Sequence, residues 1–144
     1  MTHLNQICHS KRRKFMVDLI LEKPTVCRYC GNPVVFTSNA EIYGKEYGNG
    51  KCFLCRKCKA YVGVHTETLT PLGTLANDEL RKWRHKAHNE FDKLWKGKTR
   101  KMTRYNAYGW LSKQMNLTRD KTHIALFEIE QCKQVIDICQ KQKQ

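Results

Sequence analysis

Two closely spaced cysteine pairs constrain the fold of this 144-residue chain more than any other feature of its sequence. Cys27 and Cys30 form the first pair, and after 24 intervening residues Cys55 and Cys58 form the second. Two residues between paired cysteines let a tight turn point both sulfurs at one ion, and two such turns complete a tetrahedron of thiolates. The spacing therefore predicts a single structural Zn²⁺ ion with Cys27, Cys30, Cys55 and Cys58 as ligands and no position for a reactive water.

Cys52 offers an alternative second pair, because it precedes Cys55 by the same spacing. The two residues that follow Cys52 are β-prone, as in a strand, whereas the basic residues between Cys55 and Cys58 suit a solvent-facing turn. We therefore prefer Cys55 and Cys58 as the second pair. An iron–sulfur cluster also uses four thiolates, but the hairpin-like spacing favours zinc.

The rest of the pattern predicts an α+β protein in which a small zinc-ribbon-like β module packs with three to four helices. Short β-prone stretches at 34–37, 52–54 and 60–64 surround the cysteines. Apolar residues at helical spacing predict helices at about 11–22, 77–95, 103–115 and 127–141. We accordingly divide the chain into an N-terminal basic helical segment (1–23), a zinc-ribbon-like module (24–70) and a helical region (71–144).

The charge of the chain points to a polyanionic partner. Lys and Arg number 27 against 13 Asp and Glu, which gives a formal charge of +14. An excess of this size favours nucleic acid, DNA or RNA, bound through its phosphates. The candidate contacts lie in the second cysteine turn and in the acid-free segment 96–104; they are Arg56, Lys57, Lys59, Lys98, Arg100, Lys101 and Arg104.

Other functions remain open at this stage. His88 and Asp92 are four residues apart, so a helix would place them on one face, as in a metal-dependent nuclease or simply in a packing pair. The sequence contains no glycine-rich phosphate loop and no nucleophile elbow, so we do not expect an enzyme. A protein-binding adaptor or inhibitor is the other alternative. Without a long apolar run or an export signal, we expect a cytoplasmic protein and no membrane partner.

A series of motifs resembles the zinc-finger-containing domain family of unknown function found in bacteriophages and bacteria. The motifs are CRYCG at 27–31, EIYGKEYGNG at 41–50, CRKCKAYVGVH at 55–65, PLGTLANDELRKWRHKAHNEFDKLW at 71–95, AYGWL at 107–111 and THIALFEIEQCKQVI at 122–136. The resemblance implies Cys27, Cys30, Cys55 and Cys58 as ligands and leaves Cys52 outside the pattern. The resemblance brings no established activity. We expect a regulatory or accessory nucleic-acid-binding protein of a bacterial or phage-infected cell, with a phage-encoded adaptor or inhibitor of a host enzyme as the alternative. Further family-motif positions are His65, His88, Asp92, Trp95, His123 and Cys132.

Overall fold

The computed structural model describes residues 21–143 and has, over that range, a three-stranded antiparallel sheet and four α-helices. The strands are β1 (Val35–Ser38), β2 (Lys51–Leu54) and β3 (Tyr61–Gly63). The helices are α1 (Ala40–Tyr43), α2 (Asp78–Phe91), α3 (Arg104–Met115) and α4 (Ile129–Gln142). The predicted α+β class is confirmed. The helix predicted at 11–22 and most of the segment 1–23 lie outside the described residues.

The sheet has the order β1-β2-β3, with β2 at its centre. Phe53 of β2 pairs with Phe36 of β1 and with Val62 of β3, and the two phenylalanine rings lie 5.2 Å apart. One small core lies against this sheet and includes two of the predicted ligands. Its buried members are Cys27, Phe53, Cys55, Ala60, Val62, Val64 and Leu75. A core of this size buries little apolar surface, so the module needs a further source of stability such as a bound metal.

The helices form a second, larger core. The side chain of Asn77 caps α2 by accepting a hydrogen bond from the backbone N–H of Leu80 at 2.9 Å. At the start of α4, Glu128 and Gln131 form a capping box. The apolar stripes predicted from the sequence supply this core; its buried members include Ala87, Phe91, Leu94, Tyr108, Leu111, Met115, Cys132, Val135 and Cys139.

The segment between β3 and α2 joins the two cores. It returns alongside β3, with bridges from Tyr61 to Ala76 and from Val64 to Pro71. The first members of these bridges are three residues apart and the second members five, so the returning segment bulges by two residues. Backbone pairing with the zinc-ribbon-like module therefore continues to Ala76. The boundary of that module between residues 70 and 71 stays a prediction.

Two contacts fix the helices onto this bulge. The backbone N–H of Thr74 donates to the carbonyl oxygen of Ala125 at 3.1 Å. The buried guanidinium of Arg84, on α2, donates to the carbonyl oxygens of Thr74 and Phe127, each at 3.0 Å, and to the hydroxyl of Thr74. On the ribbon side, Arg28 forms an ion pair with Glu128 at 2.8 Å. The metal module and the helical core are thus held together by polar contacts as well as by packing.

Candidate metal centre and histidine pocket

The first cysteine pair lies in a tight hairpin turn. The backbone N–H of Cys27 donates to the carbonyl oxygen of Asn32 at 2.8 Å, and the N–H of Gly31 donates back to the carbonyl oxygen of Cys27 at 2.9 Å. Gly31 has a φ of 76°, a conformation that favours glycine. The N–H of Tyr29 lies 3.4 Å from the sulfur of Cys27, so the turn also directs a donor at a ligand atom.

The second cysteine pair has the same backbone geometry. The N–H of Cys55 donates to the carbonyl oxygen of Ala60, and the N–H of Lys59 donates to the carbonyl oxygen of Cys55, both at 2.9 Å. Lys59 occupies the position of Gly31 and has a φ of 65°. A non-glycine residue rarely adopts this conformation, so the turn holds a small backbone strain.

The two turns bring four sulfurs together. The Sγ atoms of Cys27, Cys30, Cys55 and Cys58 all lie within 4.8 Å of one another. The distance is 3.3 Å from Cys27 to Cys58 and 3.5 Å from Cys30 to Cys55. Zinc–sulfur bonds of about 2.3 Å give a tetrahedron with edges of about 3.8 Å, which these distances approach without rearrangement. The four cysteines form a site for one zinc ion, as the sequence predicts.

The surroundings of the four thiols shift the pKa values of Cys30 and Cys58 in opposite directions. The backbone and the side-chain amide of Asn32 lower the pKa of Cys30 to about 6 by donating hydrogen bonds to its sulfur. A backbone N–H of Ala60 acts in the same direction on Cys58, but desolvation and the three other thiols outweigh it and raise the pKa of Cys58 to about 12. Four thiols this close together resist losing all their protons in the metal-free site, because the resulting thiolates repel one another. A divalent cation removes this repulsion and so favours deprotonation.

Cys52 does not take part in this site. It lies in β2 with 1% of its surface exposed and pairs with Thr37 and Gly63 across the sheet. Burial raises the pKa of its thiol, which disfavours the thiolate that a metal requires. Among the described residues, no other group of three or more His, Cys, Asp or Glu side chains meets the same distance limit. Cys132 and Cys139 are buried in the helical core.

The basic residues of the second turn differ in their environment. Arg56 donates two hydrogen bonds to the carboxylate of Glu41, at 3.0 Å and 2.9 Å. This pairing already compensates its charge. Lys57 and Lys59 are exposed. Four thiolates outweigh the charge of one divalent ion, so cations in this turn also offset the negative charge of the metal centre.

The basic segment 96–104 forms the connection between α2 and α3. Lys98, Arg100 and Lys101 are exposed, and none of them forms an ion pair with another described residue. The N–H groups of Lys101 and Met102 donate to the carbonyl oxygen of Leu94 at 3.0 Å and 3.1 Å, which fixes the end of this loop. Arg104 begins α3, and its guanidinium stacks on the rings of Tyr108 and Trp95.

A pocket of about 310 Å³ lies where the ribbon meets the helical core. Three histidines line it from three different segments: His65 follows β3, His88 lies on α2, and His123 precedes the turn Ile124–Leu126. Arg104 and Tyr108 of α3 are the other polar lining residues in the part of the chain that the structure describes. Burial, followed by the charge of Arg104, lowers the pKa of His123. The sequence marks these histidines only as separate motif positions, and no spacing rule predicts that they meet.

The predicted pairing of His88 with Asp92 is only partly realised. Nδ1 of His88 lies 3.5 Å from Oδ1 of Asp92, and that oxygen is buried with no hydrogen-bond partner among the described residues. The other carboxylate oxygen of Asp92 pairs with Lys96 at 3.1 Å. Asp92 does not line the pocket. His88 thus lines the pocket while Asp92 lies outside its lining, and the two do not form a carboxylate-containing metal site there.

Comparison with known proteins gives one match. The model of a family described as a zinc-finger-containing domain matches residues 23–142, which cover both cysteine pairs, every described pocket residue except Leu21, and the four described α-helices. No curated protein and no solved structure matches the chain. Over residues 21–143, no helix combines the length and the apolar character that crossing a bilayer requires.

Proposed function

The chain belongs to the zinc-finger-containing domain family, and from this premise we propose that it is a zinc-stabilised accessory or regulatory protein that binds nucleic acid through the phosphate backbone. The observation that carries the proposal is the exposed loop with Lys98, Arg100 and Lys101, none of which pairs with a described acid. This loop lies within residues 93–119, which contain eight Lys or Arg residues and no Asp or Glu. Lys93 and Lys96 of this stretch pair with Glu90 and Asp92, so Lys98, Arg100 and Lys101 are the cations best placed to attract a polyanion.

The loop is also suited to phosphate contact by its surroundings. Hydrogen bonds to the carbonyl oxygen of Leu94 fix one end, and Thr103 caps the start of α3 by accepting from the N–H of Asn106 at 3.1 Å. The cationic side chains thus extend from an anchored backbone into solvent. Contacts of this kind fix the position of a nucleic acid without reading its sequence.

The second cysteine turn is the other proposed contact. Lys57 and Lys59 are exposed on a backbone that the metal makes rigid, and they support binding in the same way. Arg56 contributes less in this proposal, because a phosphate must compete with Glu41 for its guanidinium. Arg104 contributes through its position at the entrance of α3 and in the pocket.

The test is the salt dependence of binding to duplex DNA, single-stranded DNA and RNA, measured on protein with verified zinc content. Each phosphate neutralised in duplex DNA contributes about 0.9 to the slope of log K against log salt, and about 0.7 in single strands. Joint replacement of Lys98, Arg100 and Lys101 by Gln should therefore lower the magnitude of the duplex slope by about 2 to 3.

A matched control removes the same charge elsewhere. Lys82, Lys133 and Lys141 each pair with a neighbouring carboxylate on a helix. Their joint replacement by Gln should leave the slope nearly unchanged. Equal slopes for the loop variant and the wild type would overturn the loop as the binding site. Absence of binding to all three nucleic acids, together with stoichiometric capture of a protein after nuclease treatment, would instead support an adaptor function.

A further inference from the structure

A third turn repeats the backbone geometry of the two cysteine turns, and it carries a histidine. The N–H of His65 donates to the carbonyl oxygen of Thr70, and the N–H of Leu69 donates to the carbonyl oxygen of His65, both at 2.9 Å. Leu69 has a φ of 56°, and the residues at the equivalent position of the two cysteine turns, Gly31 and Lys59, also have a positive φ. His65 therefore occupies the position that Cys27 and Cys55 occupy in the metal turns.

This turn lies apart from the zinc ligands and contributes to the histidine pocket. His65 lines the pocket together with His88, His123, Arg104 and Tyr108. Each of these five side chains can donate a hydrogen bond, and no carboxylate from residues 21–143 belongs to the lining. The other described lining residues are apolar; they are Leu21, Pro71, Leu72, Ile124, Ala125 and Leu126. Such a lining favours an anionic ligand and excludes a bare cation held by carboxylates.

The separation of the histidines decides between a metal ion and a larger anion. A single ion needs its ligand atoms clustered, and among the described residues only the four cysteines bring three or more such atoms within 4.8 Å of one another. Donors that surround a cavity at greater separation suit an anion with several acceptor oxygens. The volume of about 310 Å³ also lies at the lower end of ordinary small-molecule sites, well above the needs of an ion.

We propose that the histidine pocket binds a phosphate ester, with His65, His88, His123 and Arg104 as donors to the phosphate oxygens and the apolar lining against the remainder of the ligand. Two sources share this chemistry: the terminal phosphate of a nucleic-acid strand and a free mononucleotide. The inference goes beyond backbone binding by the loop and does not require it. Arg104 is the residue that would link the two sites, since it ends the basic segment and lines the pocket.

The experiment follows histidine side-chain resonances by NMR in the full-length, zinc-loaded protein at constant ionic strength. The probes are inorganic phosphate, adenosine 5′-monophosphate and adenosine. The imidazole resonances of His65, His88 and His123 should shift with the first two probes and not with adenosine. His85 is exposed on α2 outside the pocket and should not shift. Absence of shifts at the three pocket histidines, equal shifts at His85, or equal shifts with adenosine would overturn the proposal.

Variants test the same site by affinity. His65→Gln and His123→Gln should each weaken binding of adenosine 5′-monophosphate about tenfold, the usual loss for one charge-assisted hydrogen bond. His85→Gln is the matched control and should change it less than about twofold. If a pocket variant loses zinc or secondary structure, the NMR result on the wild type decides. An equal loss in the control would overturn the proposal.

Two further comparisons separate the sources and the sites. Tighter binding of a 5′-phosphorylated oligonucleotide than of its 5′-hydroxyl form identifies a strand end as the ligand, whereas tighter binding of the mononucleotide identifies the free compound; both support a phosphate-ester site. The variant that lacks the charges of Lys98, Arg100 and Lys101 should keep the mononucleotide shifts. Failure of backbone binding by the loop is thereby distinguished from failure of the pocket.

Discussion

Gly73 packs against Ala125 so closely that a side chain at this position would overlap the carbonyl oxygen and the Cβ of Ala125. The contact joins the bulge after the third turn to the turn Ile124–Leu126. Both segments line the pocket, and the hydrogen bond from Thr74 to Ala125 lies beside the contact. A close backbone approach is therefore what positions the ribbon on the helices.

Replacement of Gly73 by Ala should lower the free energy of unfolding by about 1–3 kcal/mol, because the nearest obstructing atom is the backbone carbonyl oxygen of Ala125, which no side-chain rotation can move aside. Urea denaturation of the zinc-loaded protein measures the change. Gly109→Ala is a suitable control, since the atoms it would meet belong to the flexible end of Arg119, and alanine favours the helix. The control should stay within about 1 kcal/mol of the wild type. Equal losses in both variants would contradict the packing argument.

The buried guanidinium of Arg84 leads to a second prediction. Its hydrogen bonds to Thr74 and Phe127 satisfy carbonyl oxygens on both sides of the junction. Arg84→Met should destabilise the fold by at least about 2 kcal/mol, because it leaves buried acceptors without donors. Lys86→Met, on an exposed position of the same helix, should change stability by less than about 0.5 kcal/mol. A result for Arg84→Met within that smaller range would show that the junction does not depend on it.

The sequence predicts local elements well and their meeting points poorly. The predicted stretches 34–37, 52–54 and 60–64 correspond to β1, β2 and β3, since alternation and β-branched residues mark strands directly. The helices predicted at about 77–95, 103–115 and 127–141 correspond to α2, α3 and α4, although the first ends at Phe91 and continues as a 3₁₀ turn to Leu94. The short helix α1 was not predicted, and the helix predicted at 11–22 lies outside the described residues. Periodicity does not distinguish a last helical turn from a 3₁₀ turn.

The metal centre was predictable because cysteine spacing encodes its geometry within each turn. The pocket was not, because His65, His88 and His123 come together only through the bulge at Gly73 and the polar contacts of Arg84. The third turn also escapes a motif search. It has the same pattern of backbone hydrogen bonds as the cysteine turns. His65 and Thr68 stand at the two cysteine positions, and Leu69 has the positive φ.

The assignment of the ligands gives a third prediction. Purified wild-type protein should contain one zinc ion per chain, and Cys58→Ser should lose it because three thiolates leave the tetrahedron open. Cys52→Ser should retain full zinc content, since Cys52 lies in β2 outside the sulfur cluster. Elemental analysis measures both. Loss of zinc in Cys52→Ser with retention in Cys58→Ser would contradict the assignment and restore the alternative pair.

The ion pair between Glu41 and Arg56 gives a prediction about pH. Hydrogen bonds from Arg56, and then from Thr37, lower the pKa of Glu41 to about 2 from an ordinary value of 4.5. A lowered pKa means that the pair stabilises the fold above about pH 4.5 and that this stabilisation is lost as the pH falls towards 2. NMR titration of the Glu41 carboxylate should give this low value in the wild type and a clearly higher value in Arg56→Gln, still below 4.5 because Thr37 continues to donate to the carboxylate.

The same pair tests whether the second turn contacts phosphate. Glu41→Gln removes the competing carboxylate and leaves Arg56 free to bind a phosphate, so it should raise the magnitude of the duplex salt slope by about 0.9. Glu46→Gln is the control, because Glu46 accepts a hydrogen bond from Ser38 and forms no ion pair with a described residue. If both variants raise the slope equally, the effect comes from net charge, and Arg56 is not a phosphate contact.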